Sequence, residues 1–292
     1  MEEVAMRINL LKYYSMLITI VLLSWILAGC NDSTSITPEP GQKVKVLSYN
    51  VWIGFQEQDS LILSKYTDWV NRLDPDIIAY QELNHYTQED LEELADEYSH
   101  PFAIQSKEEG YPVALSSKFP IVNFQRVLDN MHHGYIYGVT NNIHVFVIHF
   151  TPFGKRGLKK RQEEVETILA HAGLLPDDEM VMILGDFNAP SPSDSSYYLE
   201  HGPDYEDEDY SVIVAMEEAG FRDVYNMFHD DFKKSIPTPT RVEQVGTRDA
   251  NRIDFAFVNS ALAEYVVHAD IIHDEYTDII SDHYPVYFEL EF

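Results

Sequence analysis

Eight polar side chains stand where this sequence otherwise reads as apolar strand. Asn50 ends VKVLSYN, Glu82 follows DIIAYQ, and His149 closes IHVFVIH. Asp186 and Asn188 follow the unbroken run MVMIL, and Asp254 sits inside the otherwise apolar run in RIDFAFVN. SDHYP then supplies Asp282 and His283 just before a last apolar run. By two-residue alternation Glu82 shares a face with Ile78 and Tyr80, and His149 shares one with Ile143, Val145 and Val147. Taken singly, a strand-end Asn or Asp is ordinarily a turn former, and a lone strand His is ordinarily a hydrogen-bonded core residue. A buried carboxylate, however, needs a partner or a metal. So many such positions on one set of strands outweigh the bland reading of each.

The donor set narrows the chemistry. Carboxylate and amide oxygens, without a cysteine cluster or a His pair at zinc spacing, suit a hard cation: Mg²⁺, or alternatively Mn²⁺ or Ca²⁺. HExxH, GxSxG, GxGxxG and a phosphate loop with its Lys are all absent, so zinc hydrolysis, acyl-enzyme chemistry and nucleotide-fold chemistry lack their usual residues. His149 and His283 offer a general acid and a general base.

In the order SYN, QE, GYPVALSSKFPI, HF, GDFNA, RIDF and SDHYP, the sequence resembles the endonuclease/exonuclease/phosphatase superfamily. That group includes deoxyribonuclease I-like nucleases, bacterial sphingomyelinases and inositol polyphosphate phosphatases. The resemblance runs from Val46 to Phe288. It implies an α/β fold: a four-layer α/β/β/α sandwich of two packed mixed β-sheets flanked by helices, with the site at one edge. It also implies roles. Glu82 is the principal metal ligand, assisted by Asn50 and Asp282. Asp186 and Asn188 position the attacking water and the phosphate. His283, oriented by Asp254, is the general base or a phosphate contact, and His149 is a second catalytic His. That His is lacking in abasic-site endonucleases. Ala250-Asn251-Arg252-Ile253-Asp254 departs from the Cys-Asp-Arg signature of the inositol phosphatases, which disfavours that branch. The implied reaction is in-line hydrolysis of a phosphoester, most simply a phosphodiester.

These residues need strands to carry them and helices to cover the strands. Val44–Tyr49, Asp76–Tyr80, Val113–Ser116, Ile143–Phe150, Met180–Leu184, Ile253–Val258 and Val286–Leu290 read as strands, several of them apolar on both faces. Ser60–Leu73, Gln88–Tyr98, Leu158–Ala172 and Val212–Ala219 read as helices, the acid-rich Glu89–Glu97 being a solvated face. Asp194–Asp209 reads as a loop, with five acids from Asp204 to Asp209. No repeat or second linker interrupts residues 44–292, which favours one domain.

The N-terminus reads differently. Met16–Ala28 is a 13-residue apolar run behind Arg7 and Lys12, ending in Leu27-Ala28-Gly29-Cys30. It is short for a membrane span, which takes roughly 20 residues, and it resembles a bacterial lipoprotein signal. Residues 1–29 are then a signal peptide and Cys30, the sole cysteine, is lipidated. Residues 30–43 form a flexible tether reaching roughly 40 Å. The expected location is the cell envelope, periplasmic or cell-surface, on a membrane through the lipid anchor. The expected state is a monomer.

With 20 Lys and Arg against 49 Asp and Glu, the net charge is -29. That argues against affinity by broad neutralisation of a nucleic-acid backbone, but not against a compact metal-assisted phosphate site. One basic island, KRGLKKR at Lys155–Arg161, lies near His149 at the start of a helix, where positive charge is unfavourable. Lys159, Lys160 and Arg161 are therefore candidate substrate contacts, or else a solvated cluster balanced by Glu163 and Glu164. The expected substrate is nucleic acid or a phospholipid headgroup. Tyr135-Ile136-Tyr137 is the candidate membrane-facing hairpin for the latter, and a non-catalytic binding protein on the same fold is the remaining alternative.

Overall fold

The computed structural model describes residues 38–201, 209–245 and 250–292. The expected signal segment, Cys30, the tether through Thr37 and the acids 204–208 lie outside them. Among the described residues, twelve strands form two six-stranded sheets. The first contains β1 (Lys43–Asn50), β2 (Ile77–Gln81), β3 (Phe102–Gln105) and β4 (Ala114–Ser117). The second takes up β5 (Ile121–Val127), β6 (Tyr135–Thr140), β7 (Ile143–His149), β8 (Met180–Asp186), β9 (Arg222–Asp223) and β10 (Asp254–Val258). The last two strands, β11 (Val266–Ile271) and β12 (Val286–Glu291), return to the first sheet. The orders are β11-β12-β1-β2-β4-β3 and β5-β6-β7-β8-β10-β9.

Alternation along each strand explains why both faces are apolar. Val44 and Val46 of β1, Val145 and Val147 of β7, and Met182 and Leu184 of β8 point between the sheets. Leu47 and Tyr49 face outward, under Tyr66, Trp69 and Val70 of α1 (Ser60–Leu73) and Leu91 and Leu94 of α2 (Gln88–Asp96). On the other side Phe146, Ile148 and Ile183 lie under α3 (Leu158–Ala172), and that outer core also holds Val212, Ile213 and Met216. The result is the expected helix–sheet–sheet–helix sandwich.

Several local expectations change. No strand was expected at β3, β5, β6, β9 or β11; β9 has only two residues, β5 is largely exposed and β11 is bulged between Val266 and His268. Tyr135, Ile136 and Tyr137 lie buried in β6, so they form no exposed hairpin. The stretch expected as a loop after Asp194 holds α4 (Ser195–His201), preceded by a 3₁₀ turn. There the Ser191 side chain accepts the Ser193 amide and Pro192 fills an early helical position. α5 (Ser211–Glu218) and α6 (Pro239–Val245) follow. The tether ends sooner than expected, since β1 begins at Lys43 and Gly41 already donates to the Phe292 carbonyl.

Candidate active site

Topology gathers the eight polar residues at one end of the inter-sheet core. β1 and β2 run parallel, as do β7 and β8, so each pair ends on the same side. β10 runs antiparallel to β8, which places its first residue, Asp254, opposite Asp186. His149 is the other register partner of Asp186. Asn50, His149, Asp186 and Asp254 continue the inward-facing rows of their strands, so they form a polar floor where the core stops.

Glu82 reaches that floor by a different route. Its row-mates Ile78 and Tyr80 face the helix layer, so continued alternation would turn Glu82 away. Instead β2 ends at Gln81, and Glu82 adopts a left-handed φ of 60°. Its carboxylate lies 4.0 Å from His149 Nε2 and accepts from Asn50 Nδ2 at 3.4 Å. Trp52–Gln58 opposite coils left-handed, with φ of 46° to 65° at Trp52, Ile53, Gly54, Phe55, Gln56 and Gln58. Such winding is strained for L-residues. It aims the Ile53 amide at Glu82 Oε2 (3.1 Å) and the Gly54 amide at the Glu82 carbonyl (2.7 Å).

Asn50 joins the two sheets. Its Nδ2 also donates to Asp186 Oδ2 at 3.2 Å, and its Oδ1 accepts the Trp52 amide. In this arrangement Asn50 ties Glu82 to Asp186 with its N–H groups, and its oxygen, the expected ligand atom, is engaged by backbone. Asp186 Oδ1 accepts the Asn188 amide, and Asn188 Nδ2 donates to the Phe150 carbonyl. Gly185, just before Asp186, has φ of 145° and no room for a side chain: a Cβ would lie 2.0 Å from the Ile148 carbonyl oxygen. Its glycine is what lets β8 approach β7 beside the site.

The two histidines are held in opposite states. His283 Nδ1 lies 2.8 Å from Asp254 Oδ2, leaving Nε2 turned toward Asp186 at 4.0 Å. Burial alone would lower its pKa, but Asp254, Asp282 and Asp186 together raise it well above the ordinary value. His149 Nε2 lies 3.5 Å from Asp186 Oδ2, and its Nδ1 has no hydrogen-bond partner. Burial, then His133 and His283, push its pKa well below the ordinary value. Burial also raises the pKa values of Glu82, Asp186 and Asp282. Asp282 sits beside His283, and its Oδ1 is buried without a hydrogen-bond donor.

This donor set fits a divalent cation. Carboxylates crowd one pocket floor with less positive charge than they carry, and one carboxylate oxygen is orphaned. Glu82 and Asp282 stand on the more open side, and Asp186 and Asp254 lie deeper. Asp186, Asp254 and His283 also form a compact cluster, with one ligand atom from each within 4.8 Å of the others.

The basic island divides. Lys159 is exposed and pairs only with Glu163, at 3.8 Å. Lys160 Nζ donates to the Asn130 carbonyl at 2.8 Å. Arg161, expected as a substrate contact, is instead buried: its guanidinium donates to the carbonyls of Thr151, Pro152 and Gly154 and staples the loop after His149. Glu164 is no surface counter-charge either. It is fully buried and accepts the amides of His132 and Thr151.

Some residues at the site carried no sequence signal. Ser281 Oγ donates to the Asn50 carbonyl and accepts the His283 amide, fixing the last loop to β1. Ser235 Oγ accepts the amides of Ile253 and Asp254. Arg241, on α6, lies 3.6 Å from Asp282 and over the Trp52 ring. His133 stacks flat on His149. Each depends on a contact distant in sequence.

The Endonuclease/Exonuclease/phosphatase family profile matches residues 47–283. No curated protein sequence matches the chain. Among solved structures it is similar to an AP endonuclease from Archaeoglobus fulgidus, at 20% identity and TM-score 0.65, covering 85% of this chain and 100% of that one. It is similar also to the 3'-5' exonuclease NExo from Neisseria meningitidis, at 18% identity and TM-score 0.66 with the same coverage. A TDP2 from D. rerio humanized by 14 mutations aligns at 15% identity and TM-score 0.61, over 86% of this chain and 99% of that one. These likenesses carry the fold. The match over residues 47–283 carries the assignment: this chain belongs to the Endonuclease/Exonuclease/phosphatase family, hydrolases that act on phosphoester bonds.

Proposed function

We propose that this protein is a divalent-metal-dependent phosphodiesterase that hydrolyses its substrate by in-line attack of water, held outside the cytoplasm by a lipid on Cys30. The observation that carries the catalytic part is the under-neutralised floor of Glu82, Asp186, Asp254 and Asp282 beside two imidazoles, one bound through Nδ1 to Asp254 and the other with its Nδ1 unpartnered. A bound Mg²⁺ or Mn²⁺ supplies charge stabilisation to the phosphoryl oxygens. Glu82 and Asp282 would hold it. Asp186, braced by the Asn188 amide and by Asn50, orients the water for attack on phosphorus. His149, 3.5 Å from Asp186, takes up the water's proton, the base role that the sequence reading gave to His283. His283, kept cationic by Asp254, turns Nε2 to a phosphoryl oxygen or to the departing alkoxide. The envelope location rests on the residues preceding Cys30 and on the single cysteine.

The test is hydrolysis of bis-p-nitrophenyl phosphate with Mg²⁺ or Mn²⁺, with and without EDTA. Turnover should need the metal and fall sharply in Glu82→Ala and His283→Ala. Robust turnover surviving both substitutions would refute the site, and a folded protein inert towards every phosphodiester would leave a binding function. Mass spectrometry of the membrane fraction should find a lipid on Cys30; a Cys30→Ser protein that stays membrane-bound would overturn the anchor.

A further inference from the structure

An unbroken file of rings leads from the catalytic floor to the surface. His149 stacks on His133 with ring centres 4.2 Å apart and planes 17° apart. His133 meets Tyr111 at 5.3 Å and His132 at 4.4 Å, both edge to face. His132 in turn meets Phe153 at 5.7 Å. The inner pair is buried, while His132 is exposed, Tyr111 is 39% exposed and Phe153 56%. The geometry points to a stacking shelf for an unpaired nucleobase, on the nucleotide that adjoins the scissile phosphodiester.

Two further observations separate this shelf from a chance row of aromatics. Phe153 holds its exposed ring at φ of 80°, a left-handed conformation costly for a bulky residue. The fold sustains that cost with buried machinery. Glu164 ties the His132 amide to the Thr151 amide, and Arg161 binds the carbonyls flanking Phe153. Two buried charged groups thus fix the loop of His132 and His133 against the loop of Phe153, with His149 at the inner end.

The shape selects the ligand. A trimethylammonium headgroup is bound by ring faces gathered around one point. Here the outer rings meet edge to face on a line leading out of the site, so the exposed Tyr111 and Phe153 present separate faces, each of which takes one flat π-system, as single-stranded nucleic acid stacks on aromatic platforms. A base inside a duplex is already stacked and would have to be extruded. Lys160 reaches the 128–133 loop, where its ammonium donates to the Asn130 carbonyl.

This inference rests on the phosphodiesterase reading above, and its test separates the two. Binding is measured in EDTA, without turnover, by fluorescence anisotropy of a single-stranded oligonucleotide and of the same backbone carrying tetrahydrofuran residues in place of bases. The base-bearing strand should bind about tenfold more tightly. Phe153→Gly, His132→Ala and Tyr111→Ala should each remove most of that difference. They should leave affinity for the base-free strand unchanged. Phe153→Gly should also keep or raise Tm, because glycine relieves the left-handed backbone, whereas a merely structural ring would lower it. Equal affinity for the two strands, or equal loss on both in the variants, overturns the shelf. So does sphingomyelin hydrolysis in vesicles that outpaces both strands and falls in the same variants. A base preference without any hydrolysis would uphold the shelf and sink the phosphodiesterase.

Discussion

Two buried acid clusters lie a few residues apart in this protein, and they are built on opposite principles. In one, Arg252 donates to Asp194 and Asp223, with Ser193 and Asn226 completing its hydrogen bonds. Guanidinium and carboxylates are all buried, and the two carboxylates hold Arg252 firmly charged against the cost of burial. In the other, two residues on, Asp254 belongs to a group with Glu82, Asp186 and Asp282. There the positive partners are an imidazole and the half-buried Arg241 at its edge. A buried carboxylate without full compensation costs stability. The Arg252 cluster is finished by the fold, and the Asp254 cluster is left for something to bind.

The sharpest way to break this contrast is to remove one acid from each side. Glu82→Ala or Asp186→Ala should lower kcat by about 10³-fold or more while Tm holds or rises, as measured by steady-state kinetics and thermal melts. A fall in Tm to match the fall in rate would mean the floor is structural after all. Arg252→Ala should behave in the reverse sense. Stranding Asp194 and Asp223 should cost about 3–5 kcal/mol in denaturant unfolding, and activity should be lost only as the protein unfolds.

His100 provides a third buried titratable group, satisfied in the manner of Arg252. Its Nε2 lies 2.9 Å from the Pro75 carbonyl and so carries the proton, and Nδ1 accepts from Ser116. Burial is the main cause that lowers its pKa to about 4. The folded state therefore binds this proton more weakly than the unfolded chain does. The associated stability is complete above about pH 6.5 and is lost as pH falls to about 4, amounting to about 3 kcal/mol. His100→Gln should flatten the stability–pH curve in that window; an unchanged slope would assign the acid sensitivity elsewhere. The smallest expected effect sharpens the contrast from the ligand side. Mg²⁺ at 100 times its Kd should stabilise the protein by about 2.7 kcal/mol, and Glu82→Ala should abolish the shift while Arg241→Gln keeps it.

How much of this was written in the sequence follows from range. Central strands announced themselves because both faces are covered, and α1 and α3 begin and end where their apolar spacing says. The floor was legible because polar residues interrupt those same strands. Glu82 was found for partly the wrong reason, since alternation puts it on the helix side and only a left-handed backbone turns it inward. His133, Ser281 and Glu164 were invisible, because nothing local distinguishes them; their meaning lies in contacts with His149, Asn50 and Thr151. Arg161 looked like a surface cation because its neighbours are, yet one helical turn faces it into the loop.

The amide of Asn50 spans the gap between the sheets, from Glu82 on one to Asp186 on the other. Catalytic alignment is therefore a measure of how the two halves of the sandwich are seated on each other. A core substitution far from the floor, anywhere between the sheets, acts as a wedge that the active site registers as misalignment. On slow heating, activity should fade while the secondary structure still stands.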